Sequence, residues 1–125
     1  MTAALAGCGG NGSGTGITDS AFQGNYSGTW SNTTSGANGA ATIAVSQQGN
    51  FTGTFHDNVS NTDETVDAVI NNLGAVQGTI ILPGPTALAL TGTLSFTSST
   101  VLSGTLTEAS GGTTVGTVPV SLTKQ

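Results

Sequence analysis

From Phe22 to the end of the chain, apolar residues alternate with small polar ones. Successive side chains of a β-strand point to opposite faces, so a period of two is typical of strands with one buried face. The pattern predicts eight strands, at 22–32, 40–47, 50–57, 65–71, 75–82, 86–98, 100–109 and 113–123. No segment carries the 3.6-residue period of an amphipathic helix. The predicted fold class is therefore all-β.

Short turn signals such as Gln48-Gly49 and Ser110-Gly111-Gly112 separate the predicted strands. Sequential hairpins of this kind give an antiparallel up-and-down meander, and closure of the meander removes its exposed edges. We therefore expect a closed eight-stranded barrel rather than a sandwich. Pro119 has no backbone N–H to donate to a ladder, so the seam between the first and last strands is expected to be imperfect.

A tripeptide of Gly, Thr and an apolar residue recurs in the predicted strands, at 28–30, 53–55, 78–80, 92–94, 104–106 and 116–118. Alternation places the Gly and the apolar residue on one face and the Thr on the other. Large apolar residues such as Tyr26 and Phe51 share the Gly face, which is therefore the predicted core. Glycine weakens a strand, so its recurrence indicates a tightly coiled sheet, with space left inside the barrel.

Cys8 is the only cysteine and ends the segment Leu5-Ala6-Gly7-Cys8. This segment resembles the lipobox of bacterial lipoproteins. The resemblance implies cleavage before Cys8 and its acylation, which would anchor the protein to a lipid bilayer of the bacterial cell envelope, facing the periplasm or the exterior. Residues 1–8 are then a residual signal segment, 9–21 a flexible Gly-rich tether and 22–125 the barrel domain. A stray free cysteine in a disordered tail is the alternative.

Segments 26–32, 49–55 and 98–104 resemble strands of the avidin and streptavidin family, the first through its Gly28-x-Trp30-x-Asn32 stretch. The resemblance implies a calycin-like barrel that takes a small, mostly apolar ligand at its open end. It places candidate ligand contacts at Asn32, Phe55, Phe96, Ser98, Thr100 and Leu102. Phe55 replaces a ligand-facing tyrosine of the family, and Leu102 and Pro119 replace stacking tryptophans. We therefore expect no tight binding of biotin.

The composition argues against nucleic acid as a partner and against catalysis. Lys and Arg together number one and the formal net charge is −5, so no basic cluster is available to neutralise phosphates. His56 is the single histidine, and its neighbour Asp57 points to the opposite face of the predicted strand. Without a nucleophile elbow or a second histidine, we expect neither enzymatic activity nor a cofactor.

Acidic residues gather around the longer predicted loop at 58–64. They are Asp57, Asp63, Glu64 and Asp67. Calcium takes oxygen ligands from carboxylates and amides, so these four residues are candidate metal ligands. Their spacing is not that of an EF-hand loop, and a solvated acidic turn is the alternative.

Two classes of function remain. The first is a binding module, an anchored barrel that holds a small lipophilic molecule. The alternative is a structural or surface-display lipoprotein whose barrel is filled and takes no small ligand. Eight-stranded barrels of both kinds exist, so the volume left inside the barrel distinguishes the two classes.

Overall fold

The computed structural model of the protein describes residues 19–84 and 86–125. Its eight strands follow the predicted order, and β3 and β5 have the predicted bounds. The strands are β1 (Gly24–Ser31), β2 (Asn38–Val45), β3 (Asn50–Asp57), β4 (Thr62–Ile70), β5 (Ala75–Leu82), β6 (Thr86–Phe96), β7 (Val101–Ser110) and β8 (Thr113–Lys124). Among these described residues, no helix is long and apolar enough to cross a membrane.

Each strand pairs antiparallel with the next, and β8 pairs with β1, so the sheet is a closed barrel. This confirms the predicted eight-stranded up-and-down meander. The ladder between β1 and β8 ends at the pair Trp30 and Val120, directly beside Pro119. Beyond the proline, the N–H of Thr33 donates to the carbonyl oxygen of Thr117 over 2.9 Å. The seam is thus interrupted at Pro119 and bonded on both sides of it.

The predicted core face points into the barrel. Along β2 every second residue is buried, and the same alternation runs through β4. The largest fully buried side chains come from all eight strands; they are Tyr26, Phe51, Phe55, Ile43, Ile80, Leu90, Leu94, Leu102, Leu106, Leu122, Val66 and Val118. An eight-stranded barrel is just wide enough for such side chains to fill. The interior is a packed core.

Glycines on the inner face let neighbouring strands approach closely. At Gly92 an added Cβ would lie 2.5 Å from the carbonyl oxygen of Thr105 and 2.9 Å from the Cα of Leu106. Its φ of +152° is also one that other residues rarely adopt. The adjacent backbone fills the space beside this glycine. Gly92 therefore does not leave the space inside the barrel that the sequence led us to expect.

The meander gives the barrel two different ends. We call the end where β1 begins the entry end; the turns β2–β3, β4–β5 and β6–β7 lie there. Phe22 closes this end, since its ring stacks on Phe96 with centroids 5.4 Å apart and its carbonyl accepts a hydrogen bond of 2.6 Å from the Tyr26 hydroxyl. We call the opposite end, with the turns β1–β2, β3–β4, β5–β6 and β7–β8, the acid end.

The predicted signal segment, Cys8 and most of the predicted tether lie outside the described residues. The last residues assigned to the tether are described, and they contact the barrel. Ser20 is buried, and its N–H donates to the carbonyl oxygen of Gln47 over 2.9 Å. The N–H of Ala21 donates to Oδ1 of Asn72 over 2.9 Å. Contacts with the barrel therefore begin before residue 22.

Candidate functional site at the acid end of the barrel

The six predicted ligand residues lie at both ends of the barrel. Asn32 and Phe55 are near the acid end, whereas Phe96, Ser98, Thr100 and Leu102 are at the entry end. Asn32 contacts Glu108 of β7, while Ser98 and Thr100 precede Val101, the first residue of the same strand. Seven residues separate Val101 from Glu108, which is roughly 23 Å of strand. The structure therefore does not bring the six residues together around one small ligand.

Asn32 and Ser98 hold the turns in which they lie. Oδ1 of Asn32 accepts hydrogen bonds from the N–H groups of Thr34, over 2.9 Å, and Ser35, over 3.0 Å. Oγ of Ser98 accepts hydrogen bonds from the N–H groups of residues 100 and 101, over 3.3 and 3.2 Å. Such side-chain to backbone bonds are what Asn and Ser supply in turns.

Phe55 and Leu102 belong to the packed core. Both are fully buried, and Phe55 stacks on Trp30 with centroids 5.3 Å apart. The indole Nε1 of Trp30 donates a hydrogen bond of 2.9 Å to the carbonyl oxygen of His56, which satisfies its polar group. Phe96 is 37% exposed but its ring packs on Phe22 at the entry end. These aromatic side chains therefore stack in two pairs within the protein, one near each end of the barrel.

Strand alternation divides the four predicted metal ligands, which the structure does not bring together. Asp57 and Glu64 are buried on the inner face, whereas Asp63 and Asp67 lie on the outer face. Oδ1 of Asp63 lies 2.7 Å from Nδ1 of His56, and both side chains are exposed. In the part of the chain that the structure describes, no group of three or more His, Cys, Asp or Glu residues is arranged to hold a metal ion.

Asp57 holds the β3–β4 turn in the way that Asn32 holds the β1–β2 turn. Its Oδ1 accepts hydrogen bonds from the N–H groups of Val59, over 2.8 Å, and Ser60, over 3.4 Å. Burial of the carboxyl group acts to raise its pKa, but the hydrogen bonds from Val59 and Ser60 outweigh it. The pKa of Asp57 is therefore lowered, and the residue is a charged turn cap.

Glu108 is a site residue that the sequence analysis did not single out. It lies on the inner face of β7 and is only 4% exposed. Its Oε1 accepts a hydrogen bond of 3.3 Å from Nδ2 of Asn32. Its Oε2 is buried and has no hydrogen-bond partner among the described residues. A buried carboxyl oxygen without a donor is rare in folded proteins and marks a position that calls for an explanation.

Glu64, 8% exposed, faces the interior at the same end, and we call Glu64 and Glu108 the carboxyl pair. Burial and, after it, the negative charges of Glu108 and Asp57 together raise the pKa of Glu64 to about 7. Burial also raises the pKa of Glu108. Perturbed titrating groups of this kind concentrate at functional sites, although they also occur in purely structural networks.

The facing of the carboxyl pair follows a signal present in the sequence. Glu108 shares its strand face with Gly104 and Leu106, and Glu64 shares its face with Val66. Because alternate residues of a strand point the same way, both acids belong to the face that carries the core. The strand face on which each acid lies identifies the pair, whereas the distance between acids along the sequence does not.

A cleft lies in the wall of the barrel and is lined by other residues than the carboxyl pair. The cleft of about 590 Å³ opens where β8, β1 and β2 meet, and its lining includes Thr29, Ser31, Ala40, Pro119 and Ser121. It coincides with the end of the β1–β8 ladder beside Pro119. The side chains that line it carry no charge, so it offers hydroxyl and amide groups without a titratable centre.

Comparisons with known proteins add no relative: no protein-family model, no curated protein and no solved structure matches the chain. The fold itself defines the class of protein, a closed antiparallel up-and-down barrel of eight strands. Within that class, this chain has a packed interior and two buried acidic residues at one end.

Proposed function

We propose that the chain is the folded domain of a lipid-anchored protein of the bacterial cell envelope, which displays the acid end of its barrel away from the membrane and catalyses no reaction. The observation that carries the display role is the packed interior. Side chains from the strands fill the barrel, and Phe55 and Leu102, expected to contact a ligand, are fully buried among them. A lipophilic molecule inside the barrel would have to displace this core.

The position of the chain entry supports the orientation. β1 begins at the entry end, and residues 20 and 21 are bonded to the turns β2–β3 and β4–β5 of that end. An acylated Cys8 would lie on the same side, joined by the Gly-rich segment that precedes Asp19. The first described residues meet the barrel at the entry end. The acid end is then the end that partners in the envelope meet first.

The non-catalytic part of the proposal rests on where the titratable groups lie. His56 and Asp63 form an exposed pair on the outer wall, and no nucleophilic side chain bonds to His56 among the described residues. General acid–base and nucleophilic catalysis both need such a group within hydrogen-bond reach. Glu64 and Glu108 have raised pKa values, but neither bonds to a nucleophilic side chain among the described residues.

The anchor is tested by membrane partition. With a complete signal segment in a bacterial host, the wild-type chain is expected to enter the detergent phase, and Cys8→Ser is expected to remain in the aqueous phase. Mass spectrometry of the detergent fraction should find acyl chains on Cys8. Equal partition of both proteins would overturn the anchor.

The orientation is tested with two exposed residues at opposite ends. Leu73 is 86% exposed in the β4–β5 turn at the entry end, and Val59 is 72% exposed in the β3–β4 turn at the acid end. Fluorophores attached to Leu73→Cys and Val59→Cys of the anchored protein are compared in vesicles that carry a quencher on the lipid headgroups. We expect stronger quenching at residue 73. Equal quenching, or stronger quenching at residue 59, would contradict the display of the acid end.

A further inference from the structure

Burying the carboxyl pair in its charged form destabilises the fold unless a positive charge lies nearby. Removing a carboxylate from water costs several kcal/mol, and a nearby opposite charge with good hydrogen bonds is what repays the cost. In the described residues, Asn32 provides the only hydrogen bond to the pair, and it reaches Oε1 of Glu108. No Lys or Arg lies in β1 to β7, and Lys124 is at the entry end. Among the described residues, therefore, no donor meets Oε2 of Glu108 and no cationic side chain offsets the charge of the pair.

The chemistry of the carboxyl pair favours an organic cation over a metal. The acidic groups of the described chain do not form a set of three that could hold a metal ion. A protonated amine needs no fixed coordination shell and donates up to three hydrogen bonds, which match acceptors such as Oε2 of Glu108 and the carboxyl oxygens of Glu64. One positive charge also offsets the mutual repulsion of the two acids.

The surroundings of the pair indicate what the amine is attached to. Glu108 pairs with Leu90 on β6, and Leu88 lies one step nearer the acid end on the same inner face. Leu82, at the end of β5, packs partly buried against the core beside them. A ligand that reaches the pair from the acid end therefore passes apolar side chains, which suit a short alkyl stem.

We propose that the carboxyl pair is a binding site for a primary ammonium group on a short alkyl stem, entering from the acid end. Glu108 Oε2 accepts a hydrogen bond from the ammonium, Glu64 supplies a second negative charge, and Leu82 and Leu88 contact the stem. The site goes beyond the display role and does not depend on the anchor. The two proposals therefore succeed or fail separately.

Butylammonium chloride is the probe, titrated into the barrel protein in solution at about pH 8, where Glu64 is mostly ionised. The side-chain amide signal of Asn32 in a ¹⁵N-edited NMR spectrum is the readout, because Nδ2 of Asn32 contacts the pair. We expect a saturable shift with a dissociation constant in the millimolar range, as is usual for so small a ligand. Sodium chloride at equal ionic strength and 1-butanol are expected to give no saturable shift.

Three isosteric variants locate the site. Glu108→Gln and Glu64→Gln each remove one negative charge and are expected to weaken binding about tenfold, since a hydrogen bond to a charged group contributes on that scale. Asp63→Asn removes an exposed acid from the outer wall and should bind as the wild type does. The backbone spectrum of each variant shows whether the barrel is intact.

The proposal is overturned if folded wild-type protein shows no saturable shift with butylammonium. It is equally overturned if 1-butanol shifts the Asn32 signal as strongly, because the apolar end alone would then explain binding. If either Gln variant unfolds, the remaining variant and the comparison with 1-butanol decide the outcome. Unchanged affinity in a folded Glu108→Gln variant would also overturn the proposal, because butylammonium would then bind away from the pair.

Discussion

Asn32 and Glu108 are 76 residues apart in the chain and joined by a hydrogen bond of 3.3 Å at the acid end of the barrel. Asn32 directly follows β1 and holds the β1–β2 turn, so this bond connects the turn to the carboxyl pair. Gly116 of β8 makes room for it: an added Cβ would lie 2.6 Å from Nδ2 of Asn32 and 2.9 Å from Oε1 of Glu108. The site therefore depends on a glycine that carries no chemistry of its own.

Gly116→Ala is expected to destabilise the barrel by about 1–3 kcal/mol, the usual cost of forcing extra atoms into a packed position. The φ of Gly116 is outside the left-handed region, so backbone strain does not contribute. Chemical denaturation measures the loss. Val115→Ala, an exposed neighbour on the same strand, is the control and should change stability by less than about 1 kcal/mol. Equal losses in the two variants would mean that Gly116 is not a contact position.

Stability is expected to fall as the pH rises from about 4.5 to 7. The pKa of Glu64 is raised from 4.5 to about 7, so between these values the folded protein binds more protons than the unfolded chain. Stability from this group is complete below the unfolded pKa and is lost as the pH passes the folded one. The shift converts to about 1–2 kcal/mol once solvent screening at the barrel mouth is allowed for.

Glu64→Gln should remove this slope and be more stable than the wild type at about pH 8. Asp57 affects stability in the opposite direction and at lower pH. Its pKa is lowered, so the stability that it contributes is lost only as the pH falls below its ordinary pKa of 3.8. Urea titrations at a series of pH values check both signs. If the stability of the wild type instead rises from pH 5 to 7, the pKa of Glu64 is not raised in the folded protein.

Gly92→Val is expected to cost far more stability than Thr93→Val. The valine Cβ at position 92 would meet the backbone of Thr105 and Leu106, and φ of +152° adds strain, so the loss should exceed about 2 kcal/mol. Thr93 is exposed on the outer face, where the change should stay within roughly 0.5 kcal/mol. Thermal or denaturant unfolding of both variants is the measurement, and comparable losses would mean that the assigned facing is wrong.

Biotin is expected not to bind tightly, because Asn32 and Ser98 lie at opposite ends of the barrel and both already bond to their own turns. A small ligand can reach at most one of them. The few hydrogen bonds available at either end, about 1 kcal/mol each, do not offset the cost of association. Calorimetric titration should show no heat of binding at micromolar concentrations. A submicromolar dissociation constant would restore the avidin resemblance as a functional one.

The sequence predicted the barrel well because its period-two pattern and its turns are local signals. The bounds of β3 and β5 follow directly from the alternating residues and the turn residues on either side of them. The pairing of β1 with β8 was also predictable, because a meander of eight short strands avoids exposed edge strands by closing into a barrel. Pro119 marks the interruption of the seam, as its missing N–H requires.

The candidate site was predicted less well, for two physical reasons. In an up-and-down meander, odd and even strands end at opposite ends, so Asn32 after β1 and Ser98 after β6 could not meet; the family resemblance hid this consequence of the topology. The four loop acids were grouped by nearness along the chain, although alternation separates Glu64 from Asp63. The unpartnered Oε2 of Glu108 depends on side-chain packing across three strands, which no local pattern encodes.

The most direct test of the carboxyl pair is a ¹³C NMR titration of the side-chain carboxyl groups of Glu64 and Glu108 in the folded wild-type barrel. We predict that Glu64 titrates with a pKa of about 7 and Glu108 with a pKa above its ordinary value, because both carboxyl groups are buried at the acid end. Titration of both groups near the ordinary value of 4.5 would contradict the account, since two freely solvated glutamates would then replace the buried site.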